Sequence, residues 1–158
     1  MCCLRYTIFM ESIQNRKARM EYEILDTRQA GLVLSGGEVK AIRSGKASLL
    51  GSYVKIYGGE AWLVNAHIAP YQEKNLLSEY DPLRARKLLL QHKELAELAD
   101  SIKEKGLSLV PLQIFDKGGI IKVEVARVRG KKQRDKRDTI KKRETKRDLD
   151  RFLKRRQG

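Results

Sequence analysis

A chain of 158 residues with 34 Lys or Arg, 20 Asp or Glu and two His carries a formal charge of +14, and its pI near 9.9 selects a polyanionic partner. No stretch of about 18 apolar residues exists to span a bilayer, and the two cysteines, Cys2 and Cys3, are neighbours with no Cys elsewhere to complete a zinc site or a disulfide framework. Ten of the fourteen net charges fall in residues 129–158, where fifteen Lys or Arg meet five Asp or Glu; what precedes them has the length of one domain with one core and no room for a second.

The N-terminal run MCCLRYTIFM is apolar but broken by Arg5 and followed by Glu11, without a small-residue cleavage site. It fails as a secretory signal, so the expected location is the cytoplasm. Met10 is an alternative start to Met1, and residues 1–14 read as an extension to a body expected over 15–128. That body opens on the basic run Asn15-Arg16-Lys17-Ala18-Arg19. Met20, Tyr22 and Ile24 then alternate with Glu21 and Glu23, the two-residue period of a half-buried strand. Ala30-Gly31 reads as a bend or bulge, and Ser35-Gly36-Gly37 stops the strand. A short helix is expected next. Glu38 sits near its N-terminus, where the helix dipole favours an anion, Val39 and Ile42 share a face, Lys40 and Arg43 project elsewhere, and Gly45 ends it.

Residues 53–57 and 61–67 are alternating runs rich in β-branched and aromatic side chains, joined by Gly58-Gly59 in a hairpin signature. Pro70 closes the second run, and residues 72–80 read as a polar loop. Asp81-Pro82 marks a helix start, because proline suits the first helical position. Two helical pieces are predicted from there: Arg84, Arg86 and Lys87 leading into Leu88-Leu89-Leu90, then Leu95, Leu98, Ala99 and Ile102 down one face towards Gly106. Residues 107–115 and 120–128, joined through Lys117-Gly118-Gly119, make a last β pair, with Pro111 at an edge or a bulge. Six or seven strands with few helices predict a mainly β (α+β) fold, a small closed antiparallel β-barrel of oligonucleotide-binding type with flanking helices and a basic C-terminal tail.

In residues 129–158 the sizeable apolar side chains are Ile140, Leu149, Phe152 and Leu153, too few to offset the entropy of ordering. The tail is expected to be unfolded when free. Pairs such as Glu144 with Arg147 and Asp148 with Arg151 suit a helix once phosphates neutralise the excess charge. Because the tail lacks a broad apolar face, nucleic acid is a better polyanion for it than a membrane.

Catalysis finds little support. His67 and His92 have no Cys or second His at ligand spacing, and the glycine pairs at 36–37, 58–59 and 118–119 fit turns, none preceding the Lys-Ser or Lys-Thr of a phosphate loop. Glu73, Glu79 and Asp81 are the one carboxylate set suited to a divalent ion for RNA cleavage, although acids in surface loops are commonplace. No cofactor or small-molecule substrate is implied. Three basic clusters are more informative: Asn15 to Arg19, then Lys40, Arg43 and Lys46, then Arg84, Arg86 and Lys87. A solvated face explains any one of them. Together with the tail and with Tyr22, Tyr53, Tyr57, Trp62 and Tyr71, they suit RNA, guanidinium groups clamping phosphates and rings stacking on unpaired bases. On composition alone the reading is a general RNA-binding or ribosome-associated protein, with a metal-dependent RNA-processing enzyme as the rival of another class.

The runs NRKAR (15–19), GGEVKAIRSGKA (36–47), DPLRARKLLL (81–90) and KKQRDKR (131–137) resemble, in order, the motifs of the SmpB family of bacterial SsrA-binding proteins. The resemblance extends from about residue 14 to the end. It implies a non-enzymatic partner of transfer-messenger RNA that binds the tRNA-like domain. With elongation factor Tu, such a protein helps carry the alanine-charged RNA to ribosomes stalled on messages lacking a stop codon. The fold it implies is the same barrel. The tail it implies is unstructured when free and helical in the vacant messenger channel, beside the decoding centre.

Carried onto this chain, the resemblance makes Asn15, Lys17, Arg19, Gln29, Lys40, Arg43 and Lys46 RNA-facing, with Leu89 and Gln91 at a further contact position. Glu38 belongs to the same motif, either capping the helix or orienting a base, and Arg84, Arg86 and Lys87 join the RNA-binding set. Lys131, Lys132, Asp135, Lys136, Arg137, Lys141, Lys142 and Arg143 would face ribosomal RNA. The chain departs from many relatives at Met20, where they have His, at Gln91, where they have Asn or His, and at Gln29, where they have an acid; Gln29 keeps hydrogen-bonding capacity but no charge.

Overall fold

The computed structural model describes residues 12–72 and 80–131, together with Glu144 and Arg147, both helical and exposed. The expectations for residues 1–11, for Glu73 and Glu79, and for the tail beyond Lys131 apart from those two positions lie outside the described residues. Along the chain run β1 (Ile13–Gln14), α1 (Arg16–Glu21), β2 (Tyr22–Leu32), α2 (Gly36–Arg43), β3 (Ala47–Ser48), β4 (Tyr53–Tyr57), β5 (Glu60–Val64) and β6 (His67–Ile68). Then come β7 (Arg86–Leu89), α3 (His92–Ile102), β8 (Leu107–Lys117) and β9 (Ile120–Gly130). The fold is mainly antiparallel β with a few helices.

Two glycine pairs set the hairpins. Gly58-Gly59 (φ 61° and 73°) joins β4 to β5, and Gly118-Gly119 (φ 65° and 86°) joins β8 to β9. Two successive positive φ values make the two-residue turn whose twist matches its flanking strands, and side chains with a Cβ rarely adopt them. All pairings are antiparallel: β8 with β9, β9 with β2, β2 with β7, β7 with β5, β5 with β4, and β4 with β8 again. The succession returns to the strand from which it started. β1 adds to β8 at Ile13↔Ile114, and β3 with β6 makes a separate two-stranded piece.

Of the edge and the bulge expected as alternatives at Pro111, the register shift between Pro111 and Gln113 shows the bulge. Leu109 and Ile114 pack in the main core with Ala30, Ile42, Leu63, Leu88, Val123 and Val125, while Val110 and Leu112 join Ala18, Ala126 and Val128 in a second cluster. Helix α1 lies over that second cluster, so this part of β8 and β9 is buried on both faces.

Four expectations are corrected. Met20 and Glu21 belong to α1, and the strand begins at Tyr22. The bulge of β2 falls between Ile24 and Asp26, whereas Ala30 and Gly31 pair regularly with Val123 and Lys122. Residues 86–89 form a strand and not a helix. Arg86 and Leu88 are buried while Leu89 is exposed, the alternation of a strand, and Asp81-Pro82 makes a turn in which the Asp81 carboxylate accepts from the Leu83 N–H at 2.9 Å. Residues 61–67, expected as one run, divide: β5 ends at Val64, Asn65 takes a positive φ of 61°, and His67 belongs to β6, paired with β3. Helices α2 and α3 stand where expected, α3 with Leu98 buried and Leu95 packed on the core.

Candidate nucleic-acid interface

The first basic cluster is built on Asn15, the N-cap of α1. Its Oδ1 accepts from the Ala18 N–H at 3.1 Å, its Nδ2 donates to the carbonyls of Leu49 and Pro111 at 3.1 Å each, and its own N–H donates to Leu112 O at 2.7 Å. Asn15 is only 5% exposed. Its work is to fix the start of α1 against β8 and the 49–52 turn, so that Lys17 and Arg19 stand out from a rigid base. Lys17 lies 3.9 Å from Glu21 and Arg19 4.0 Å from Glu124; both pairs are open to solvent, where such contacts contribute little and release readily to a phosphate. Gln29, exposed on β2, sits opposite Glu124 in the β2–β9 register.

Because it removes an N-cap and the amide that ties α1 to the Leu49 and Pro111 carbonyls, of which Leu49 O keeps the Ser52 N–H and hydroxyl as donors, Asn15→Ala is expected to cost about 1–3 kcal/mol. Urea unfolding of wild type and variant measures this, and a loss under about 0.5 kcal/mol, the range of an ordinary surface change, would contradict it.

The second cluster rides on α2. Ser35 and Glu38 form a capping box, the Ser35 hydroxyl accepting from the Glu38 N–H and the Glu38 carboxylate accepting from the Ser35 N–H at 2.9 Å. Glu38 is only 1% exposed and also receives Arg84 Nε and Arg86 Nε, each at 2.9 Å, on Oε1. Arg86, fully buried, donates further to the carbonyls of Ala66 (2.8 Å), Arg84 (2.9 Å) and Pro82 (3.1 Å), and to the Tyr80 hydroxyl at 3.4 Å. Tyr80 in turn donates to Ile68 O at 2.9 Å. Burial alone would push the Glu38 carboxyl up, but hydrogen bonds from Arg84 and the Ser35 N–H, with the Arg86 charge, hold it below the usual carboxylate range. Burial raises the Tyr80 phenol, and the Glu38 charge adds to it.

This network ties α2 to β6, β7 and the turn between them. On its outer side Lys40 stands 5.6 Å from the centre of the Tyr71 ring, and Lys46 is exposed just past the helix end. Arg43 is committed in part: its Nε donates to Asp116 at 3.1 Å and its Nη2 to Gly119 O at 3.0 Å, clamping α2 to the β8–β9 turn.

On β7, Lys87 is ion-paired with Glu60, and Leu89, 54% exposed, covers Gly31, where an added Cβ would come within 3.3 Å of Leu89 Cβ. Gln91 precedes α3, its N–H donating to Glu94 at 3.2 Å. Lys131, the first residue after β9, donates its N–H to Glu21 O at 3.1 Å, which holds the start of the tail beside α1.

The sequence-derived set therefore divides. Lys17, Arg19, Gln29, Lys40, Lys46, Leu89 and Gln91 are exposed, Arg43, Arg84 and Lys87 are partly engaged, and Asn15, Glu38 and Arg86 are buried within the scaffold. Ser35 and Tyr80 were absent from that set. The Ser-x-x-Glu spacing at 35–38 was a usable signal for the first, while nothing local marks Tyr80. Among the described residues no group of three or more His, Cys, Asp or Glu is placed to hold a metal ion, and no helix is long and apolar enough to cross a membrane.

The family model described as SmpB protein matches residues 12–155. The SsrA-binding protein of Chlorobaculum tepidum is 51% identical over 147 residues, 92% of this chain and 93% of that one. The SsrA-binding protein of Thermosynechococcus vestitus is 48% identical over 143 residues, 90% of this chain and 94% of its own length. A solved chain described as "tmRNA-SmpB: a journey to the center of the bacterial ribosome" superposes with a TM-score of 0.65 at 41% identity, covering 82% of this chain and 94% of that one. With motifs, fold and near-complete coverage in agreement, this chain belongs to the SmpB family of SsrA-binding proteins.

Proposed function

We propose that this chain binds the tRNA-like domain of transfer-messenger RNA and helps deliver it, in company with elongation factor Tu, to stalled ribosomes in the cytoplasm, performing no chemistry itself. Residues 15–128 form the RNA-binding head, read as a closed barrel of oligonucleotide-binding type because its strand pairings come back to β8. The ribosome-directed tail, expected over 129–158, follows the end of β9 at Gly130 and is unfolded when free, with Lys131, Lys132, Asp135, Lys136, Arg137, Lys141, Lys142 and Arg143 directed at ribosomal RNA in the empty messenger channel.

The observation that carries the reading of the head is the placement of Lys17, Arg19 and Lys40, exposed on two short helices that the buried residues Asn15 and Glu38 hold from beneath, with Lys46 exposed just past the second. Fixed cations meet a folded RNA without first being ordered. In this reading Asn15, Glu38 and Arg86 act through the elements they position, and the phosphates meet the lysines and Arg19.

Replacing Lys17 and Arg19 together by Ala is expected to weaken binding of the tRNA-like domain and to lower the log–log salt slope by about 1.5. An unchanged slope would remove α1 from the interface. Competition with excess bulk tRNA separates a dedicated partner, which retains transfer-messenger RNA, from a general RNA binder, which loses it. RNA cleavage that needs both this protein and magnesium would overturn the non-enzymatic reading.

A further inference from the structure

The outer face of β4 and β5, beside Lys87 on β7, carries aromatic and basic side chains to which the proposed binding of the tRNA-like domain gives no task. Tyr53, Lys55 and Tyr57 alternate outward along β4, with Tyr53 47% and Tyr57 75% exposed. Trp62, partly exposed on β5, is opposite Lys55 on one side and Lys87 on the other, so Lys55, Trp62 and Lys87 form one row across three strands. The acid on this face of β5, Glu60, is taken up by Lys87, and Lys55 makes no ion pair among the described residues.

We propose that this wall is a stacking platform for an unpaired RNA segment, Trp62 and Tyr57 taking bases and Lys55 the phosphate between them. Residues two apart on a strand are about 6.6 Å apart, so the rings of Tyr53 and Tyr57 flank Lys55 at about that spacing on either side. Aromatic rings interleaved with lysines on a firm sheet are what sequence-tolerant single-strand binding requires. A protein partner fits less well, because lysine is depleted from the centre of protein interfaces and here brackets the tryptophan on both sides. In the succession of pairings β5 stands farthest from β9, so Trp62 lies away from α1, while Tyr53 at the start of β4 lines a cavity together with Lys17 of α1. The proposal rests on the RNA-binding reading above, but the residues that test it, Tyr57 and Lys55, are not among those that reading assigns to the tRNA-like domain.

Trp62 is the chain's single tryptophan, so its fluorescence reports this wall and not the tail. Titrating the full chain with a twelve-nucleotide oligouridylate is expected to quench it. Tyr57→Ala and, separately, Lys55→Gln, both at exposed positions, are expected to weaken the oligouridylate response, Tyr57→Ala by about fivefold or more. Both variants should retain the wild-type melting temperature and bind the tRNA-like domain within about twofold, the range of a near-neutral surface change.

Absence of quenching, equal quenching by a twelve-base-pair RNA duplex, or indifference to both substitutions would overturn the proposal. Quenching by RNA-free elongation factor Tu but not by oligouridylate would assign the wall to protein and overturn it equally. Loss of the platform with wild-type binding of the tRNA-like domain leaves the functional reading standing; failure of the wild-type chain to bind that domain sinks the reading itself.

Discussion

Arg86→Ala is expected to lower stability by about 3–5 kcal/mol, because it strands the buried Glu38 carboxylate without its buried counter-charge. It also removes the donors to the carbonyls of Ala66, Arg84 and Pro82. For a domain of this size the melting temperature should fall on the order of 10–20 °C. Glu38→Leu combined with Arg86→Met should recover part of the loss, since an apolar pair removes that buried charge pair, but not all of it, since the Ala66 and Arg84 carbonyls lose the guanidinium while Pro82 O keeps only the Ile68 N–H. RNA binding follows from the same network. Loosening α2 should cost both affinity and melting temperature, whereas Lys40→Ala should cost affinity alone. A loss below about 1 kcal/mol for Arg86→Ala would mean that the network is not what holds α2.

The same site sets an acid dependence. The Glu38 carboxyl is lowered in the folded chain, so its contribution is present above the ordinary carboxylate value of about 4.3 and is lost as pH falls through the depressed folded value. Wild-type melting temperature should therefore decline below about pH 4.3 more steeply than that of Glu38→Gln, which has no charge to neutralise.

Where local chemistry decided the structure, it could be read from the residues. The glycine pairs at 58–59 and 118–119 adopt positive φ, which glycine tolerates best, and the apolar spacing of Leu95 and Leu98 placed α3. Where a distant partner decided, it could not. Arg86 sits just before three leucines, and the expectation that an arginine points to water turns the run 84–90 into one flank of a helix. Its partner is 48 positions away, and only the paired Glu38 makes a fully buried guanidinium tolerable. Helix α1 is too short for a period to emerge from its six residues. Asn15 was visible as a basic-run neighbour suited to RNA, but its amide reaches carbonyls 34 and 96 positions away, partners that no local pattern encodes.

Ending the chain after Gly130 is expected to abolish peptide tagging on stalled ribosomes while leaving the tRNA-like domain bound. Strand β9 already ends at Gly130, and among the described residues the cut takes away a single backbone hydrogen bond, from the Lys131 N–H to Glu21 O. Urea unfolding should therefore shift by no more than about 1 kcal/mol. The cut does remove most of the net positive charge, and with it much of the non-specific attraction to any RNA, so affinity for the tRNA-like domain has to be compared in the presence of excess bulk tRNA. Ribosome engagement depends on those charges directly: binding to roughly six phosphates gives the full-length chain a log–log salt slope of about −4, which the shortened chain should lack. Tagging and tRNA-like-domain binding are then separable losses. Their disappearance together, in a shortened head that still unfolds as the full chain does, would mean that the last residues bind the RNA the head was assigned to hold.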